Sequence, residues 1–307
     1  MSVLILAGCA SVKTRLPRPA PAAVQKETRL QTREGFARLL RQQRRLDRVS
    51  ARILQANAKL CKKTRPDFGL RTHSLKSYPK PLRTAAAHEL SALEYPSVLL
   101  VRSGGPAAVA GLRPGDVLLN PEGKPVSALD RSLAGAKTLR IRRGDREMKI
   151  AIKGIPACAY PVRLKTSSAI NAWADGKHIT VTTAMMDFVK DDRELALVLG
   201  HELAHNTMGH VRKAIWNALI TGFATRYTRP FEAEADYVGL YYMARAGYDI
   251  EGVEQIWRRL GTLFPKNALR AKSHPVTPER LLAIRMTAKE IKARQKAGEA
   301  LLPKPKA

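Results

Sequence analysis

The feature that most constrains this chain is His201-Glu202-Leu203-Ala204-His205, set at the end of an apolar stretch carrying Leu195, Val198 and Leu199. Asp191 and Asp192 precede that stretch, and short acidic side chains there cap a helix N-terminus. At 3.6 residues per turn His201 and His205 lie one above the other, so both imidazoles can reach one ion. Glu202 sits to their side, near enough to accept a proton from a water on that ion. Such a helix has to be buried with its polar groups and covered by a second element. The spacing predicts a metal site.

Phe231-Glu232-Ala233-Glu234-Ala235-Asp236 opens that second element, which continues through Tyr237-Val238-Gly239-Leu240-Tyr241-Tyr242 as a helix. Glu232 and Asp236 are four apart and share a face with Gly239, so one carboxylate can bind metal while the other accepts the free N–H of a ligating histidine. Glu234 points about 160° from Asp236's side and makes the poorer ligand. A longer pattern, with the third ligand from the same stretch, needs a glycine and a histidine where Met208 and Val211 stand. His210 falls about half a turn from the metal face and reads as structural.

Composition bounds the rest. Apolar residues make up 45% of the 307, which excludes a disordered chain. No apolar run reaches the roughly eighteen residues of a spanning helix, which argues against a polytopic membrane protein. Lys and Arg number 54 against 26 acids, a balance of +28, and residues 1–85 carry 20 against 4. Such a surface suits an anionic envelope, and no nucleic acid is expected because no nucleic-acid-binding motif accompanies it.

The predicted organisation has five parts. Residues 1–25 hold a short apolar start and a Pro/Ala-rich tether. Leu6-Ala7-Gly8-Cys9 resembles the bacterial lipobox, which implies lipidation of Cys9 and membrane contact by a lipid anchor alone. Residues 26–63 form a basic amphipathic helix with an apolar seam of Leu39, Leu46, Ile53 and Leu60, suited to packing along another domain. Residues 64–155 read as a small β-rich domain, with strands at Val98–Val101 and Val117–Leu119 and a hairpin round Arg143-Gly144-Asp145. Residues 156–298 hold the metal motifs, and 299–307 are expected to be a disordered basic tail.

Two resemblances sharpen this. Gly111-Leu112-Arg113-Pro114-Gly115-Asp116-Val117 resembles a bacterial PDZ domain, which implies that Phe68, Gly69 and Leu70 form the loop holding a peptide C-terminus. The motifs at 201–205 and 232–239, with Ser273-His274-Pro275 and Arg280, resemble the family-48 zinc metallopeptidases, whose relatives include the HtpX, Oma-type and CAAX prenyl proteases. That likeness implies an α+β fold, mainly helical with a small β-hairpin. It implies one Zn(2+) per chain on His201, His205 and Glu232, with Glu202 as general base and Asp236 behind a histidine. It gives His274 as an oxyanion donor or a cap on the zinc, with Arg280 bracing that loop. Asn171 and Trp173, in the hairpin ahead of the zinc helix, would hold substrate as an added strand.

The expected function is a metalloendopeptidase of the bacterial cell envelope acting on protein or peptide substrates. The alternative is an envelope chaperone with little proteolysis. Periplasm, anchored to the outer membrane, is the expected location. Cys61 and Cys158 are then the remaining thiols and are expected to pair. Their loop of roughly 97 residues gives about 4–5 kcal/mol as an upper estimate.

Overall fold

A computed structural model of the chain describes residues 17–126, 138–213, 229–263 and 277–304. Over these the fold is mixed α+β, with most strands gathered in the first half and the packed helices in the second.

Helix α1 (Pro21–Ala56) starts inside the stretch expected to be a tether. Proline is suited to the first helical position, where its missing N–H has no partner to lose, and Ala22 and Ala23 favour the helix that follows. Leu46, Val49 and Ile53 are buried on one face and join the main core, while Phe36 packs in a separate small cluster with Ala86 and Ala92. Part of the basic face is neutralised by what it packs on. Arg45 and Arg48 donate to the two oxygens of Asp192 at 2.9 and 2.7 Å, and Arg38 pairs with Asp187.

Strands β1 (Thr64–Asp67) and β7 (Ile155–Cys158) pair antiparallel, Thr64 opposite Cys158. The Cys61–Cys158 disulfide closes the base of this two-stranded stalk, with Cα atoms 5.5 Å apart. Between its legs lies an antiparallel sheet in the order β2 (Leu70–His73), β3 (Ser97–Val101), β4 (Val117–Leu119), β5 (Thr138–Arg143), β6 (Arg146–Ala151). Helices α2 (Arg83–Leu90) and α3 (Pro106–Val109) belong to the same segment. Its core is built from Phe68, Val98, Leu112, Leu118 and Ile141, apart from the main one.

A three-stranded sheet follows. β10 (Ile179–Thr182) lies between β8 (Val162–Lys165), to which it is parallel, and the edge strand β9 (Ala172–Ala174). Among the described residues, helices α4 (Thr183–Phe188), α5 (Asp192–Thr207), α6 (Arg229–Arg245), α7 (Gln255–Leu263) and α8 (Pro278–Lys296) follow. No helix among the described residues is long and apolar enough to cross a membrane.

Helix α5 is capped by Asp191, whose carboxylate accepts from the N–H groups of Arg193 and Glu194 at 2.9 Å. From Glu194 to Asn206 it is buried on every side, its polar and ionisable motif residues together with its apolar ones. It meets α6 backbone to backbone. A Cβ on Gly200 would sit 2.5 Å from the Gly239 carbonyl oxygen, and one on Gly239 would sit 2.7 Å from the His201 nitrogen. Only glycine fits at either position, and the close approach brings both motif helices onto one point.

The C-terminal residues are not free up to Lys304, contrary to the expected tail. Arg245 and Arg294 donate to the carbonyls of Leu301 and Leu302 at 3.2 and 2.9 Å, and Leu301 packs on the main core. Two arginines seeking acceptors and one apolar side chain hold that segment down.

Candidate metal centre

The crossing of α5 and α6 buries His201, Glu202, His205, Glu232 and Asp236 together. One donor atom each from His201, His205 and Glu232 fall within 4.8 Å of one another. His201 Nε2 and His205 Nε2 are 3.1 Å apart, His205 Nε2 and Glu232 Oε1 3.3 Å, and His201 Nε2 and Glu232 Oε2 3.5 Å. A tetrahedral ion with bonds of about 2.0–2.1 Å separates its ligands by roughly 3.3 Å. Two imidazoles and a carboxylate at these separations fit a zinc-type ion.

Each histidine is held from behind. His201 Nδ1 donates to Asp236 Oδ1 at 2.9 Å. Asp236 in turn accepts two bonds from Arg280 of α8, Nε to Oδ2 at 2.7 Å and Nη2 to Oδ1 at 2.9 Å. Arg280 Nη1 lies 3.4 Å from Glu232 Oε2. Burial alone would push the His201 imidazole down, but bonds and charge from Asp236 and Glu232 outweigh it and raise it to about 10. Burial would likewise raise Asp236, and Arg280 with His201 brings it below the usual carboxylate range. Trp257 of α7 closes the site with its ring edge-on to His201, centroids 5.6 Å apart.

Behind His205 stands a third imidazole. His210 Nδ1 lies 3.1 Å from His205 Nδ1, and His210 Nε2 lies 2.8 Å from Glu234 Oε2. Burial lowers the His210 imidazole to about 4, more than Glu234 raises it, so this ring is neutral.

The hairpin lies beside the site because α5 clamps it. Asn206 Oδ1 accepts from the Gly176 N–H at 2.8 Å, and its amide donates to the His178 carbonyl at 3.1 Å. Asn171 and Trp173 lie at the edge strand β9, where Trp173 is opposite Thr180 and the Asn171 carbonyl accepts from the Thr182 N–H at 3.0 Å.

One expectation changes, at residues 68–70. Arg280 pairs with Asp236, and the loop at 273–275 that it was expected to brace lies outside the described residues. Phe68 is core and Leu70 opens β2, while the Gly69 N–H is already bonded to Asp67 at 2.9 Å, so it is not aimed at a peptide terminus. His274 and Cys9 lie outside the described residues.

Comparison with known proteins agrees with this geometry. Peptidase family M48 matches residues 140–221 and 214–288, which contain both motif helices and Arg280. Over that stretch the chain is similar to the M48 metallopeptidases. Similar curated proteins include the mitochondrial metalloendopeptidase OMA1 of Arabidopsis thaliana, 28% identical over 40% of this chain and 30% of that protein. That of Schizosaccharomyces pombe is 23% identical over 44% of this chain and 48% of its own length. The human mitochondrial metalloendopeptidase OMA1 is 25% identical over 36% and 28%. The matches thus span less than half the length of each relative.

These relatives overturn the expected location. All three carry mitochondrial names, and none is described as a periplasmic, outer-membrane lipoprotein.

Proposed function

We propose that the chain is a zinc-dependent metalloendopeptidase acting on protein or peptide substrates. The observation that carries this reading is the buried triangle of His201, His205 and Glu232 donors with Glu202 on the same helix. Zinc held there supplies Lewis acidity, polarising a peptide carbonyl and making water acidic near neutral pH. Glu202 takes the water's proton and returns it to the leaving amine. Asp236, itself forked by Arg280, keeps the proton of His201 on Nδ1 and turns Nε2 to the ion. Burial of Glu202 at 3% exposure keeps bulk water from competing for its proton.

Among the described residues β9 is an edge strand, and its outer backbone groups are where an extended substrate adds as a strand, beside Trp173 and Asn171. The segment 64–155 acts as a PDZ-like recruiting domain ahead of the peptidase domain at 156–298. Its outer strand β2 is the edge a peptide would join, in place of the loop at Phe68–Leu70.

Glu202→Gln tests the mechanism. Hydrolysis of an unfolded protein substrate should fall by about 10²–10⁴ while bound zinc stays near one per chain. Full hydrolysis in that variant sinks the role of Glu202. His201→Ala and Glu232→Ala should lose the zinc, and a Glu232→Ala protein with full zinc and activity removes Glu232 from the ligand set. A zinc-loaded wild type that binds unfolded chains without cutting them makes the protein a chaperone instead.

A further inference from the structure

His210 and Glu234 take no part in the chemistry above, yet they stand directly behind a ligand. His205 turns Nε2 toward Glu232 Oε1 and His201 Nε2, which leaves Nδ1 facing His210 Nδ1 across 3.1 Å. Two ring nitrogens at that distance share one proton, so one donates and the other accepts. A histidine that binds an ion through Nε2 carries its proton on Nδ1. His205 is therefore the donor and His210 Nδ1 the acceptor. The proton of His210 then sits on Nε2, 2.8 Å from Glu234 Oε2, which accepts it. One assignment of protons satisfies all of these atoms.

The acceptor ring is itself fixed. His210 is 2% exposed, and Phe231 stacks on it with centroids 4.8 Å apart and planes 17° from parallel. Phe231 and Glu234 both belong to α6, the helix that supplies Glu232. The helix that brings the third ligand thus also fixes the support of the second.

We propose that His210, backed by Glu234, is a positioning residue that holds His205 in its metal-binding tautomer and ring orientation. This rests on the reading of His201, His205 and Glu232 as the zinc ligands. The pair resembles the Asp236–Arg280 support of His201 in role but not in chemistry, because the acceptor is a neutral ring whose proton is held by a carboxylate one step further out.

The test is zinc affinity of the full chain, read by competition with a chromogenic chelator. His210→Phe keeps a stacked ring but no acceptor, and its affinity should fall 10–100-fold, the usual loss for a ligand's outer partner. His210→Gln, whose amide oxygen can accept, should recover at least part of that loss. Wild-type affinity in a folded His210→Phe protein overturns the proposal, as does an equal loss in both variants, which would leave only packing. Should His210→Phe not fold, Glu234→Ala carries the test, and unchanged affinity there overturns the relay. A wild-type chain that binds no zinc fails the ligand assignment itself, an outcome distinct from all of these.

Discussion

Two aspartate–arginine forks, each on a buried carboxylate, occupy different regions of this molecule and do different work. In the sheet region, Arg143 donates Nε to Asp116 Oδ1 and Nη2 to Oδ2, both at 2.7 Å. In the helical region, Arg280 forks Asp236 in the same way at 2.7 and 2.9 Å. Both carboxylates are almost wholly shielded from water. What separates them is the third partner. Asp116 also accepts from the backbone N–H of Arg113 at 2.8 Å, which stitches the turn leading into β4. Asp236 accepts from His201, which aims a candidate metal ligand. A buried ion pair by itself is weak evidence for function; the group on its remaining lone pair decides.

The sharpest way to break the comparison is to neutralise each acid. Asp236→Asn strands the buried Arg280 and should cost about 3–5 kcal/mol in denaturant unfolding, whereas Asp116→Asn leaves the part-exposed Arg143, which water can reach, and should cost less. Only Asp236→Asn should also weaken zinc binding, by about 10–100-fold in chelator competition. Equal zinc affinity in the two variants would erase the distinction.

Glycines sharpen it next. Gly239→Ala drives a methyl into the α5 backbone and should cost about 3 kcal/mol, the upper range for overpacking. Gly111→Ala in the sheet region meets open space, so only its φ of +81° matters, at about 1–2 kcal/mol. Thermal unfolding of both checks the order.

The smallest effect concerns Asp67 at the top of the stalk. Burial would raise its carboxyl, but Arg102 and hydrogen bonds from Gly69 and Gln55 hold it below the usual range. A depressed carboxyl contributes stability that is complete above its unfolded value near 3.9 and is lost as pH falls through the lower folded value. Wild type should therefore exceed Asp67→Asn by about 1 kcal/mol at pH 6, the pair being part-exposed, and the gap should shrink below about pH 4. A gap that grows on acidification would reverse the sign.

The candidate metal ligands are legible because helical spacing is local: His201 with His205, and Glu232 with Asp236, are each one turn apart. His210 was misplaced for a local reason too. Extending the helix by 100° per residue put it away from the metal face, but α5 ends at Thr207, and Gly209, with φ +69°, turns the chain so that His210 comes back beneath His205. Glu234 looked unhelpful because it pointed away from Asp236, and that is the side on which His210 waits. Arg280 and Gly200 depend on how helices far apart in the chain cross, which no periodicity encodes. A buried acid beside a ligand needs a cation, and that chemistry was the available hint of Arg280. In the sheet region the strands and the hairpin at Gly144 followed from turn residues and alternation, whereas the stalk needed the pairing of Thr64–Asp67 with Ile155–Cys158 across the whole insert.

The disulfide at the base of that stalk changes how the chain handles slack. Because Cys61 and Cys158 are joined, tension along the main chain between α1 and β8 runs through sulfur and bypasses everything between them. If the five-stranded sheet melts, the freed length stays in a closed loop and none of it is paid out to the helices. The sheet can therefore open and refold while α1 and the motif helices keep their registration.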